Sequence, residues 1–332
     1  VVVTIVDGVR VVSNSELQAF KWCRRHWWLA WYRGLTPRAG ESVTGAAATG
    51  TRIHEALAGY YVPDDQPAAD PLVTLRAAQQ RDLALHVGRA FGPDQPLGDE
   101  NERALTLSEG KRLESDFVLE QRVIEGYLEW LAETGADAEW EIIGSEQYVE
   151  TVIEVEDCGP VKLIGKLDAR VRSRVTGQLR FIDHKTVSTL FDPLLGLNQQ
   201  MLHYELIGTL LGWGPTTGAL YNMLRKVKRT AAARPPFYAR VQIDHNKHEL
   251  QAYSAQLAGT IRDMIDVERR LAAGVSHHAA AYPTPGRDCG WRCQFVGVCR
   301  LLNDGSRSED ALTDLYEVRD PLTYYGSSRE GE

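Results

Sequence analysis

Apolar positions in the first 135 residues recur at helical spacing. "SNSE" (13–16) has the form of a capping box, Ser13 as N-cap and Glu16 three positions on. The spacing predicts a helix from there to about Tyr32, carrying Leu17, Phe20, Trp27, Trp28 and Trp31, with the tryptophans on a buried face. "TGTRIHEALAGYY" (49–61) reads as a Gly-led turn into a second helix. Residues 62 to 102 are rich in Pro, Gly and Asp, with one helical stretch near 71–90. Leu113, Phe117, Ile124, Leu128 and Leu131 then resume the helical period.

The pattern changes near Glu141. "EIIGSEQYVETVIEVED", "VKLIGKLDARVRS" and "QLRFIDHKTV" are β-rich and separated by the turn signals "CGP" and "VTG", which predicts consecutive antiparallel strands. A helix over 197–212, strands over 216–226 and 238–244, and a long helix over 247–273 follow. There is no internal repeat. The class is α/β, a central sheet flanked by helices. The segments are N-terminal helices (1–61), a helical insertion (62–135), the core (136–275), a cysteine segment (276–305) and a polar C-terminal tail (306–332). The insertion and the cysteine segment are expected to decorate one core.

The chain has 332 residues, of which 43% are hydrophobic, enough for one large domain or two modest ones. No apolar run is long enough to cross a bilayer, and "VVVTIVDGVRVV" lacks the basic start and small-residue cleavage site of a signal peptide. A cytoplasmic location is the default expectation. The net charge of −8 argues against a surface coated for nucleic acid, but not against a local basic groove. Basic residues do cluster, in "KWCRRHWWLAWYRG" (21–34) and "LRKVKRTAAARPPFYAR" (224–240).

The densest candidate chemistry is "FIDHKTV" (181–187). Side chains at i and i+2 of a strand share a face, so Asp183 and Lys185 aim at the same spot. They form either an exposed ion pair or half of an active site. A short turn between strands can bring Asp168, in "GKLDARV", beside Asp183. With His54 these carboxylates make a ligand set suited to Mg²⁺ or Mn²⁺. Gln200 and Tyr204, one helical turn apart, share a helix face.

"GTRIHE", "GKLDAR", "IDHKT" and "QMLHY" occur in the order found in the RecB-like branch of the PD-(D/E)xK nucleases, and the chain resembles that branch over about residues 15–300. The resemblance implies a restriction-endonuclease-like core. It implies that His54, Asp168, Asp183 and the backbone carbonyl of His184 bind metal and that Lys185 is the catalytic lysine. Gln200 and Tyr204 would line the site or touch the DNA backbone. The middle position of Asp-x-Lys, aromatic in many relatives, is here His184.

Five cysteines are present: Cys23, Cys158, Cys289, Cys293 and Cys299. An odd number in a long chain does not suggest a secreted disulfide scaffold. Cys289-x3-Cys293-x5-Cys299 lacks a local fourth ligand. Zinc completed by His277 or His278, an iron–sulfur cluster completed from far along the chain, and simple buried thiols all remain open. A subset of RecB-like nucleases, CRISPR-associated relatives included, has one Cys before the core and three after it holding a [4Fe–4S] cluster. Cys23 matches the early position and Cys158 does not.

The basic run at 224–240 is either a solvated hairpin or a phosphate-tracking loop, with Arg225, Lys226, Lys228 and Arg229 as DNA contacts and Phe237 or Tyr238 free to stack on a base. Given a nuclease core, the second reading is favoured. The function expected is that of a metal-dependent DNA exonuclease acting on single-stranded or frayed ends in recombination, repair or phage DNA metabolism. The alternatives are a CRISPR adaptation nuclease with partner proteins, and a non-catalytic DNA-binding or recombination subunit.

Overall fold

The computed structural model describes residues 5–6, 8–38, 42–91, 100–230 and 232–326. The chain opens with strands β1 (Ile5–Val6) and β2 (Val9–Ser13) and helices α1 (Asn14–Trp22) and α2 (Arg24–Trp27), the latter continuing as a π-turn over Trp28–Tyr32. Strand β3 (Leu35–Pro37) precedes helices α3 (Gly45–Ala58), α4 (Pro71–Phe91) and α5 (Glu100–Thr134). Strands β4 (Trp140–Val155), β5 (Gly159–Ser173) and β6 (Leu179–Val187) come next, then α6 (Gln199–Leu210), β7 (Thr216–Arg225), β8 (Tyr238–Asp244) and α7 (Lys247–Ala272). Short helices α8 (His277–Ala280), α9 (Cys289–Arg292) and α10 (Val296–Cys299) lead to α11 (Ser308–Leu315) and β9 (Tyr316–Val318).

Among the described residues, seven strands form one mixed sheet. The hairpins β4–β5 and β5–β6 are antiparallel, as the turn signals predict. Two parallel pairings, β2 with β5 and β6 with β7, connect segments far apart in the chain. One edge of β5 is paired with β4 from Gly159 to Ser173. The opposite edge is shared, β2 taking Val161–Ile164 and β6 taking Ala169–Arg172. Gly165 to Asp168 lie between the two ladders, so the sheet forks there.

Both faces are covered. Leu17 and Phe20 of α1, Met201 and Ile207 of α6, and Tyr253 and Ile261 of α7 pack with Phe181 and Tyr221 on one side. Ile53 and Leu57 of α3, Leu75 of α4, and Ile124 and Tyr127 of α5 pack with Ile182 and Leu220 on the other. Helices α4 and α5, within the segment read as an insertion, thus help build a core layer. Their junction with α3 is ionic and buried. Arg52 donates through Nε and Nη2 to Glu120 and through Nη1 to Asp82 at 2.7 Å, with the Arg52 and Glu120 side chains fully buried.

Two expectations fail. The helix predicted to Tyr32 breaks at Cys23, whose backbone is extended (φ −161°). That turn aims its thiol at the C-terminal segment, where it accepts the Thr284 amide at 3.4 Å. The region read as a polar tail holds a helix and a strand. Its Leu312, Tyr316, Leu322 and Tyr325 are buried, and β9 pairs antiparallel with β3. Trp27 and Trp28 are core residues, as their spacing predicts.

Candidate active site

The fork in the sheet gathers the acidic residues. The β5–β6 ladder ends at Ala169 opposite Ile182, and the next rung outward sets Asp168 against Asp183. Asp168 accepts the backbone amide of His184 at 2.9 Å, a bond from side chain to main chain where the ladder has stopped. His54 of α3 brings Nδ1 to 3.4 Å from the same carboxylate. Alternation holds along β6. Lys185 Nζ lies 2.6 Å from Asp183 Oδ2, and 5.4 Å from the centre of the Tyr221 ring, the residue opposite Asp183 on β7. The pair is close but not aligned as a hydrogen bond, which leaves Asp183 Oδ2 buried without an aligned donor.

The His184 ring points into the other core layer. Asn222 Nδ2 donates to its Nδ1 at 2.9 Å and also to the Tyr127 hydroxyl at 2.7 Å. Burial holds the imidazole pKa well below its ordinary value, so the ring is neutral. Burial likewise pushes the Asp168 carboxyl up. The opposing pull of His54 and the added push of Asp183 follow in size.

Gln200 and Tyr204 reach the fork from α6. The Tyr204 hydroxyl donates to the Lys166 carbonyl at 2.8 Å, and Gln200 Nε2 donates to that hydroxyl at 3.1 Å. Tyr204 thereby bonds to β5 backbone where neither β2 nor β6 pairs with it, and Gln200 holds the tyrosine hydroxyl. Close approach requires glycine at 165, where a Cβ would lie 2.6 Å from Tyr204 Cε1.

A cleft of about 630 Å³ opens beside His54 and Asp168, lined also by Glu55, Glu146, Lys166 and Thr186 among others, while Asp183, Lys185, Gln200 and Tyr204 are not among its lining residues. Glu146 and Lys166 are the residues that reading the sequence missed. Lys166 lies inside "GKLDAR", but nothing local says where its ammonium points. Glu146 reaches the cleft only through the register of β4.

A family model described as the PD-(D/E)XK nuclease superfamily matches residues 11–300. The chain belongs to that superfamily. Membership makes it a nuclease, and the α/β core of a PD-(D/E)XK nuclease is the fold observed. No curated protein matches the chain. Among the described residues no helix is long and apolar enough to cross a membrane.

PD-(D/E)XK nucleases use divalent cations, and the donor set at the fork has that chemistry. Among the described residues no three His, Cys, Asp or Glu side chains converge on a single ion. At the fork Asp183 instead lies against the Lys185 ammonium. A buried carboxylate without an aligned donor, Asp183, a half-buried one, Asp168, and a neighbouring imidazole nevertheless suit a hard divalent ion.

Four of this nuclease's cysteines share a cavity. Cys23, Cys289, Cys293 and Cys299 line one cavity of about 360 Å³ between the α1–α2 break and the C-terminal segment. Cys158 is not among its lining residues. Burial pushes the Cys293 thiol up, and the neighbouring Cys23, Cys289 and Cys299 add to the shift. His277 lies outside the lining and stacks on Trp28, ring centres 4.5 Å apart.

The basic loop divides. Arg229 lies across Gly126 of α5, pairs with Glu129 at 3.1 Å and donates to the Tyr238 hydroxyl at 2.8 Å. It fastens the loop to α5, and Tyr238, itself buried, is not free to stack. Lys226 Nζ donates to the carbonyl of Ala46, a cleft-lining residue, and Lys228 Nζ donates to Ser115 of α5. Arg225 donates to the carbonyls of Ser188 and Arg234. Among the described residues, no carboxylate lies within ion-pair distance of these three.

Proposed function

We propose that this nuclease is a RecB-like, metal-dependent deoxyribonuclease that shortens DNA from an end. The observation that carries the reading is the pairing of Lys185 with Asp183 beside Asp168, at the fork of the sheet. His54, Asp168, Asp183 and the His184 carbonyl would hold Mg²⁺ or Mn²⁺. Such an ion, when bound, supplies Lewis-acid polarisation of a phosphoryl oxygen and a more acidic water. The protein's own part is positioning and charge. The His184 amide fixes the Asp168 carboxylate, Lys185 orients the attacking water and offsets charge developing on the phosphate, and Gln200 and Tyr204 brace the strand behind.

Two further features support the same reading. Arg225, Lys226 and Lys228 have no carboxylate partner among the described residues, and Lys226 stands at the cleft rim, which suits a phosphate path. Helix α5 also reaches the start of α3, where Asp116 accepts the Gly45 amide at 2.8 Å. This narrows the approach and favours a threaded single strand over an intact duplex. The four-cysteine cavity would hold a [4Fe–4S] cluster joining the N-terminal helices to the C-terminal segment. A cluster spreads its thiolates around a cage, in keeping with cysteines that line a cavity without meeting at one ion.

End-labelled linear single- and double-stranded DNA, with Mn²⁺ or EDTA, tests the activity. Progressive shortening with Mn²⁺, none with EDTA, and resistance of closed single-stranded circles are expected. Rapid cutting of closed circles would replace end-directed action by internal cleavage.

A further inference from the structure

Strand β4 carries an arrangement that costs backbone and charge energy. Its register pairs Ser145 with Ala169 and Gln147 with Leu167, which leaves Glu146 opposite Asp168. Like charges directly opposed across two strands are destabilising. Glu146 also has φ +49°, the left-handed region that costs an L-residue energy, just after a register shift between Ile142 and Gly144. Glycine would relieve both, yet a glutamate stands there with its side chain in the cleft. Backbone strain of this kind concentrates where surroundings hold a side chain for use.

The partner of Glu146 is Lys166, its diagonal neighbour on β5, Nζ to Oε2 2.6 Å. Both side chains keep solvent access, Lys166 at 21% and Glu146 at 36%, and both line the cleft with His54 and Asp168. The backbone of Lys166 is fixed as well, since its carbonyl accepts the Tyr204 hydroxyl. The ammonium is thus held by Glu146 on a fixed stretch of strand, in the cleft of a site that must receive a polyanion.

We propose that Lys166 is a second cationic contact to the substrate strand, binding a phosphate beside the scissile one, and that Glu146 is the positioning residue that aims it. The inference rests on the nuclease reading above. Lys185 acts in the chemical step, whereas Lys166 acts in holding the strand. Its loss therefore falls on KM and on binding more than on kcat. Glu146 acts only through Lys166.

The test compares the unaltered protein with Lys166→Met, Lys166→Arg, Glu146→Ala and the double variant Lys166→Met/Glu146→Ala on an end-labelled single strand. Cleavage is followed with Mn²⁺ and binding with EDTA across a salt series. Lys166→Met is expected to raise KM about tenfold, the effect of one lost charge contact. It should also flatten the salt slope by about 0.7, one phosphate's worth for a single strand. Lys166→Arg should restore both. Glu146→Ala should raise KM, and the double variant should match Lys166→Met, because the two losses share one interaction. Cleavage by the unaltered protein, with normal KM and slope in Lys166→Met, overturns this inference alone. Additive losses in the double variant overturn the role of Glu146. DNA left intact by the unaltered protein overturns the nuclease reading and this inference with it.

Discussion

The backbone amide of His184 and the carboxylate of Asp168 meet at 2.9 Å, one rung beyond the last pair of the β5–β6 ladder. A strand amide that would otherwise bond to a neighbouring carbonyl bonds to a side chain. The substitution lets β5 diverge from β6 and opens the cleft, while the acid on one strand stays fixed to the Asp-x-Lys strand. Forking and acid placement are the same event.

Tyr204 reaches the fork only because residue 165 has no side chain. Gly165→Ala would put a Cβ 2.6 Å from Tyr204 Cε1. Overpacking of this kind costs about 1–3 kcal/mol. The variant should unfold at lower denaturant concentration and lose cleavage beyond its loss of stability, since Tyr204 supports the backbone next to Asp168. Denaturant melts alongside cleavage rates measured well below the transition check this.

The cysteine cavity makes a prediction that separates its members. Protein purified without oxygen should be brown and contain iron and sulfide. Cys23→Ala should bleach it and lower its thermal stability, because Cys23 joins the α1–α2 break to the C-terminal segment. Cys158→Ala should leave colour and iron content unchanged. Stoichiometric zinc in place of iron would overturn the assignment.

A pH dependence follows from His203, buried on α6 between the Tyr253 hydroxyl at 2.9 Å and the Ile164 carbonyl at 3.2 Å. Burial lowers its pKa from 6.5 to about 4. Unfolded, the same ring takes up a proton near pH 6.5. Its contribution to stability is therefore complete above pH 6.5 and is lost as the pH falls towards 4. Relative to His203→Gln, the unaltered protein should lose up to about 3 kcal/mol over that window. Chemical denaturation of both at several pH values measures the difference.

Whatever is local in this site was readable in the chain. Asp183 and Lys185 share a face because strand periodicity allows nothing else, and a short turn is enough to bring Asp168 back beside Asp183. The same holds for the β4–β5–β6 hairpins and for α6 and α7, whose patterns are continuous. Elements that depend on distant partners were not readable. Val9–Ser13 enters the main sheet by pairing parallel with β5, about 150 residues on. The break at Cys23 answers a segment beginning near Thr284. Helix α11 and strand β9 are polar in sequence and owe their order to β3 and to a few buried side chains. Glu146 was hidden because a register shift, not a motif, sets it opposite Asp168.

The central claim is that Asp183 and Lys185 form the reacting centre of a divalent-metal nuclease. It is tested most directly by the cleavage rate of Lys185→Ala and Asp183→Ala on end-labelled DNA with Mn²⁺, with binding measured in parallel. Both variants should lose cleavage by about 100-fold or more while binding DNA within a few-fold of normal, because these groups act in the chemical step. Near-normal cleavage by either purified variant would contradict the account.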